Sequence, residues 1–134
     1  MNPKFSLRTL VVAFGIAGGG QAHAQDLFII ANSATPIAAG DIKDVFTGEK
    51  QFAGSTKLIP VDNGPAQETF LSTALGMGAA RYNTIWTKKS FREGVTPPTV
   101  KAGDNEVIDF VSRTNGAVGY VRSEPRGVAI IRKY

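Results

Sequence analysis

Residues 57–75 constrain this chain more than any other stretch. Leu58-Ile59-Pro60-Val61 reads as a strand, Asp62-Asn63-Gly64 as a turn, and Pro65 as the opening of a helix. Proline suits the first helical position because its missing N–H would have no intrahelical partner there, and its ring presets a helical φ. Phe70, Leu71, Ala74 and Leu75 then recur at helical spacing, so one face of that helix meets a core. Gly76 ends it, since glycine accepts the left-handed conformation common just past a helix. A strand that runs straight into a helix leaves backbone N–H groups and the positive end of the helix dipole facing outward. That setting suits an anion. The same turn also serves α/β domains simply as a connection.

The first residues read as a targeting segment. Lys4 and Arg8 supply positive charge, residues 10–17 form a short apolar run, and Ala22-His23-Ala24 has the small-x-small form of a signal peptidase site. The run is shorter than the ~20 residues a membrane-spanning helix needs. The expectation is a cleaved signal peptide over 1–24 and an exported, periplasmic domain over 25–134. Of 134 residues, removing 24 leaves 110, enough for one core and one domain.

Export alters the charge. The chain has 15 basic and 11 acidic residues, and two of the basic ones, Lys4 and Arg8, fall in the signal, leaving a formal excess of two. So small an excess does not point to nucleic acid, whose partners carry a strongly basic face. There is no Cys, and the one His, His23, also falls in the signal. Disulfides, thiolate chemistry and His-assisted catalysis are therefore outside the repertoire of the exported domain.

In chain order, Leu27-Phe28-Ile29-Ile30-Ala31 is a continuous apolar run of the kind found in buried strands. Asn32-Ser33 follow at its C-terminal end, the side where open α/β sheets place ligands. Asp41 can cap a short helix carrying Ile42, Val45 and Phe46 on one face, closed by Gly48. Residues 49–56 read as a polar loop around Phe52. After the central helix, a second runs from about Ala79 to Lys89, with Tyr82, Ile85 and Trp86 on one side. That aromatic stripe could form a binding surface, but core packing accounts for it more simply. Residues 91–100 read as irregular, because Gly94 and Pro97-Pro98 interrupt regular structure. Asp104 opens the last helix as N-cap, and Val107, Ile108 and Val111 line it. Residues 117–121 and 128–131 close the chain as strands, with Gly119 marking close approach by a neighbour. Alternating strands and helices place the fold in the α/β class, with a mostly parallel or mixed sheet flanked by helices.

The chemistry available is narrow. The carboxylates at helix starts, Asp41 and Asp44 or Asp104, Glu106 and Asp109, are explained by capping and the dipole, and no metal pattern is present. No phosphate-loop or dinucleotide glycine pattern occurs, and no serine has an elbow motif or a His partner. The reading is a non-enzyme with no catalytic residue, no metal and no cofactor.

Four stretches carry a resemblance. They are Ile42-x-x-Val45-Phe46-x-Gly48; Leu58-Ile59-Pro60-Val61-Asp62 with Phe70 and Leu75-Gly76; Tyr82-x-x-x-Trp86 with Phe91 and Pro97-Pro98; and Glu106-Val107-x-x-Phe110-Val111 with Gly116-Ala117-Val118-Gly119-Tyr120-Val121. Together they resemble the periplasmic-binding-protein-like (type II) domain of the phosphate ABC transporter substrate-binding family, in its short single-lobe form. The resemblance implies one lobe of a type II periplasmic binding protein, with an oxyanion at a helix N-terminus. It places the ligand contacts at Asn63, Gly64, Gln67 and Thr69, with Ser33 near them. Relatives carry a hydroxyl residue and an arginine in this turn, where this sequence has Gly64 and Gln67, and Glu68 adds negative charge. Glutamine cannot replace the charged fork of an arginine on phosphate. Two functions follow. One is a phosphate- or oxyanion-binding domain associated with phosphate ABC transport or sensing, in which binding is weak or absent. The other is a periplasmic accessory protein that keeps the lobe, has lost the ligand, and acts on a membrane transporter or envelope protein. In the first case, a homodimer could supply the facing wall that a single lobe lacks.

Overall fold

The computed structural model describes residues 26–134. The signal peptide read over 1–24 lies outside the described residues. β1 (Phe28–Ala31) has no polar residue, and all four of its residues are buried. Such a strand must be covered on both faces, and that requirement sets the layering.

After β1, a 3-10 turn leads into α1 (Ile42–Phe46). A small hairpin follows, made of β2 (Phe52–Ala53) and β3 (Thr56–Lys57). Next come β4 (Ile59–Asn63), a 3-10 turn (Gly64–Ala66), α2 (Gln67–Phe70) and a π-helical turn (Leu71–Leu75). α3 (Ala79–Glu93), β5 (Thr99–Lys101), α4 (Asp104–Arg113), β6 (Ala117–Val121) and β7 (Ala129–Lys133) complete the order. Five strands form one mixed sheet in the order β5-β4-β6-β1-β7. β4 pairs in parallel with both β5 and β6, whereas β1 is antiparallel to both β6 and β7. Every strand of this sheet except β1 therefore points the same way. The fold is α/β with a mixed sheet flanked by helices, as the alternation of elements implies.

The core divides by sheet face, following the period-two alternation of strand side chains. Ile29 of β1 joins Phe46, Phe70, Trp86 and Tyr120 on one side, where α1, α2 and α3 pack. Ile30 joins Val61, Val107, Val111 and Val121 on the other, under α4. In the first cluster, the Phe70 ring stacks on Tyr120 with centroids 3.8 Å apart, and Phe46 meets both rings edge-on at 4.7 and 5.7 Å. Trp86 is only 6% exposed, and its Nε1–H donates to the Phe46 carbonyl at 2.9 Å. The tryptophan expected in the core is there. In the second cluster, α4 can settle onto β6 only because Gly119 has no side chain. A Cβ there would lie 2.7 Å from Val107 Cγ1.

Several element boundaries differ from the sequence reading. α3 runs on to Glu93 and stops at Gly94, whose φ of 70° is left-handed, so Phe91 is helical. Residues read as irregular after it include β5, which exists through parallel pairing with β4 (Asp62 beside Val100). A three-residue edge strand has too little sequence to show a period, and only its neighbour defines it. The expected loop around Phe52 is the β2–β3 hairpin. Gly103, not Asp104, holds the N-cap position of α4.

Candidate functional site

At the end of β4 the chain stays extended through Asn63 (φ −115°, ψ 105°) and then closes into helical geometry, with proline in the first turn. Gly64 and Pro65 are exposed, and Ala66 is buried against the core. Among the described residues no side chain caps this end, Pro65 has no N–H to offer, and the Gln67 N–H donates to the Gly64 carbonyl, so the exposed start at Gly64 and Pro65 presents mainly the positive end of the dipole. The run ends at Gly76 in the left-handed conformation, and the Met77 N–H bonds the Leu71 carbonyl at 3.1 Å.

The two residues before the turn point to opposite faces of the sheet, and both are buried. Asp62 faces the aromatic cluster. Its carboxylate accepts hydroxyl hydrogen bonds from Tyr120 at 2.7 Å and Tyr82 at 2.9 Å. Burial raises its carboxyl above the ordinary value, while donors on Tyr120, Tyr82 and Gln67 pull it back. Both tyrosine hydroxyls are in turn held well above their ordinary value, by burial first and by the charge of Asp62 second. Asn63 faces α4. Its Nδ2 donates to Asp104 Oδ1 at 2.8 Å and to the Tyr120 carbonyl at 3.0 Å, and its Oδ1 has no partner among the described residues. The Asp104 carboxylate also accepts the backbone N–H of Arg122 at 3.1 and 3.2 Å and of Ser123 at 3.0 Å. Three donors from two strand ends thus converge on a half-buried carboxylate beside the turn.

Neither the protein-family models nor the curated proteins include a match to this chain. Among solved structures, it is similar to an ABC-type phosphate transport receptor from Vibrio cholerae, at 16% identity and a TM-score of 0.49, over 79% of this chain and 45% of that one. It is also similar to a protein from Clostridium perfringens assigned as a phosphate ABC transporter substrate-binding protein and solved with bound phosphate, at 13% identity and a TM-score of 0.48 (79% and 44%). A third is PstS from Borrelia burgdorferi, at 16% and 0.40 (71% and 39%). The chain spans less than half the length of each.

Gly64, Gln67 and Thr69 lie on the turn and the helical run after it, whereas Asn63 is the last residue of β4 and its buried side chain points away to Asp104. Ser33 is not with them. β1 runs antiparallel to β6, and β6 runs parallel to β4, so the C-terminal end of β1 lies level with Ala117 and Ile59, at the start of β4. The strand-end rule that placed Ser33 beside the turn fails here because β1 is the one reversed strand. Sequence reasoning also passed over Asp62, Tyr82, Tyr120 and Asp104 as a polar framework for the turn. The available signal was an acidic residue at the end of an apolar strand, a position that requires buried donors. Residues 62–69 contain Asp62 and Glu68 but no Lys or Arg. Among the described residues no cluster of His, Cys, Asp and Glu could hold a metal ion.

Proposed function

We propose that this chain is an exported phosphate- or oxyanion-binding-protein-like domain, associated with phosphate ABC transport or sensing, and built as one lobe of a type II periplasmic binding fold. The observation that carries this reading is the turn: β4 feeds a helical run whose exposed first residues, Gly64 and Pro65, have no side-chain cap. The ligand would meet the positive end of the helical run there, together with the side chains of Gln67 and Thr69, whereas Asn63 lies buried behind the turn against Asp104. The sequence resemblance over Gly116-Ala117-Val118-Gly119-Tyr120-Val121 supports the same reading. Among the described residues, no helix is long and apolar enough to cross a membrane. Intact mass of protein recovered from the cell envelope tests export: the expected chain starts at Gln25, and a mass that includes residues 1–24 contradicts it.

Binding at this turn is expected to be weak. An exposed helix dipole contributes about 0.3–1 kcal/mol, against the ~4.1 kcal/mol that even a millimolar site requires. The second reading, an accessory protein that has lost its ligand, is favoured by one specific feature. Polar groups around the turn are already engaged internally, Asn63 with Asp104 and the Tyr120 carbonyl, and Asp62 with Tyr82 and Tyr120. Calorimetry with inorganic phosphate on the wild type and on Gln67→Arg separates the two. Weak wild-type binding that gains at least about tenfold in Gln67→Arg, from a restored charge-assisted fork, supports the oxyanion site. No heat from either protein favours the accessory role, and a membrane transporter, an envelope protein or a second copy would then be the partner to seek.

A further inference from the structure

A second concavity lies at the opposite end of β4. A cleft of about 330 Å³ opens between the loop after α1, the start of β4, and the segment joining α3 to β5. That volume is at the lower end of the ~300–1,000 Å³ typical of small-molecule sites. Trp86, Pro97 and Pro98 supply apolar wall, while Lys50, Lys57 and Thr96 supply polar groups. The walls are set before any ligand arrives. Trp86 is held by its hydrogen bond to Phe46, and the helix leading in ends at the left-handed Gly94. Gly48 lets the backbone lie against the indole, since a Cβ there would sit 3.0 Å from Trp86 Cη2.

The charge of the cleft has one sign. None of its lining residues is acidic. Glu49, next in sequence to Lys50, is paired with Lys89 at 2.9 Å. Neither Lys50 nor Lys57 has an ion pair among the described residues, and the Lys57 ammonium lies 5.8 Å from the centre of the Phe52 ring. Apolar lining beside two lysines that have no carboxylate partner among the described residues selects an apolar body carrying a negative charge. We propose that this cleft is a ligand site separate from the turn, and that it takes a small aromatic carboxylate, with the ring against Trp86 and Pro97-Pro98 and the carboxylate facing Lys50 and Lys57.

Trp86 is the chain's one tryptophan, so its fluorescence reports on this cleft directly. The test titrates the full chain with phenylacetate, its uncharged analogue phenylacetamide, and the cation phenethylamine, with backbone amide NMR shifts mapping the contact. Phenylacetate should give a saturable Trp86 change with amide shifts around residues 50–58 and 94–99. Phenylacetamide should bind about tenfold more weakly and phenethylamine should give no saturation, because two partly exposed charge pairs contribute about 1.4 kcal/mol together. In the surface variant Lys50→Gln/Lys57→Gln, phenylacetate should fall to the level of phenylacetamide. Inorganic phosphate should leave Trp86 unchanged, which keeps this site distinct from the turn. The proposal is overturned if phenylacetate does not saturate, if the three probes bind alike, if the shifts map away from the cleft, or if the lysine variant binds phenylacetate as the wild type does.

Discussion

Asp62 is 1% exposed, and a carboxylate in that position is tolerable only because donors surround it. The hydroxyls of Tyr82 and Tyr120 provide them, and burial still leaves the Asp62 carboxyl raised. The folded state therefore holds this proton more tightly than the unfolded chain does. Asp62 thus favours folding most below the ordinary value of 3.8, and that contribution is lost as pH rises from there through the folded value. Urea unfolding of wild type and Asp62→Asn across pH 3–8 checks the sign. The stability of the wild type relative to the variant should decline with rising pH, and an increase would refute the assignment. The two tyrosines work at the alkaline end. Their folded values lie above the ordinary 10.0, so unfolded tyrosines lose protons first and stability should fall above that pH. Tyr120→Phe should lessen that alkaline decline and cost about 1–3 kcal/mol at pH 7, because the carboxylate loses a buried donor.

Between elements, α4 fits tightly against β6. The helix rests on the backbone of Gly119, with Val107 and Val111 on either side and Val61 of β4 beside them. Adding a single methyl group forces one of these valines, or the helix itself, to move. Gly119→Ala should destabilise by about 1–3 kcal/mol, the usual cost of overpacking a filled core. It should lower the denaturant midpoint without changing the slope. An unchanged midpoint would mean that α4 shifts freely on the sheet. The ion pairs on the helices carry much less weight. Arg113–Asp109 is exposed on both sides, and pairs of that kind contribute little in water.

For the molecule as a whole, Asp104 is the tie between segments distant in sequence. Its carboxylate joins the end of β4 through Asn63, the chain leaving β6 through the N–H groups of Arg122 and Ser123, and the start of α4. Arg122 reaches further, its Nε donating to the Asp26 carbonyl at 3.0 Å. Asp104→Ala leaves three donors without this acceptor and should cost about 1–3 kcal/mol. Amide exchange at Arg122 and Ser123 should quicken more than exchange in β1, and unchanged protection at those two amides would remove Asp104 from this role. The same tie bears on function. The carboxylate of Asp104 sits beside the turn proposed for an external anion, whereas the cleft at the other end of β4 is lined by Lys50 and Lys57 and by no acidic residue.

Residue order alone determined a good deal here. The strand and the helical run within residues 58–75, the apolar β1, the burial of Trp86 and the close approach at Gly119 follow from local pattern, because runs, spacings and missing side chains act over a few residues; Asp62 and Asn63, read as turn, extend β4 instead, held there by pairing with β5. Tertiary structure decided the rest. β5 has no periodicity of its own and exists by pairing with β4. Ser33 moved to the far end of the sheet because strand direction belongs to the sheet and not to the strand. Asp104, readable locally as a helix cap, serves instead as an acceptor for groups up to 41 residues away. The cleft likewise joins segments that no sequence window contains, since its lysines and prolines come together only when α3 folds back beside the start of β4.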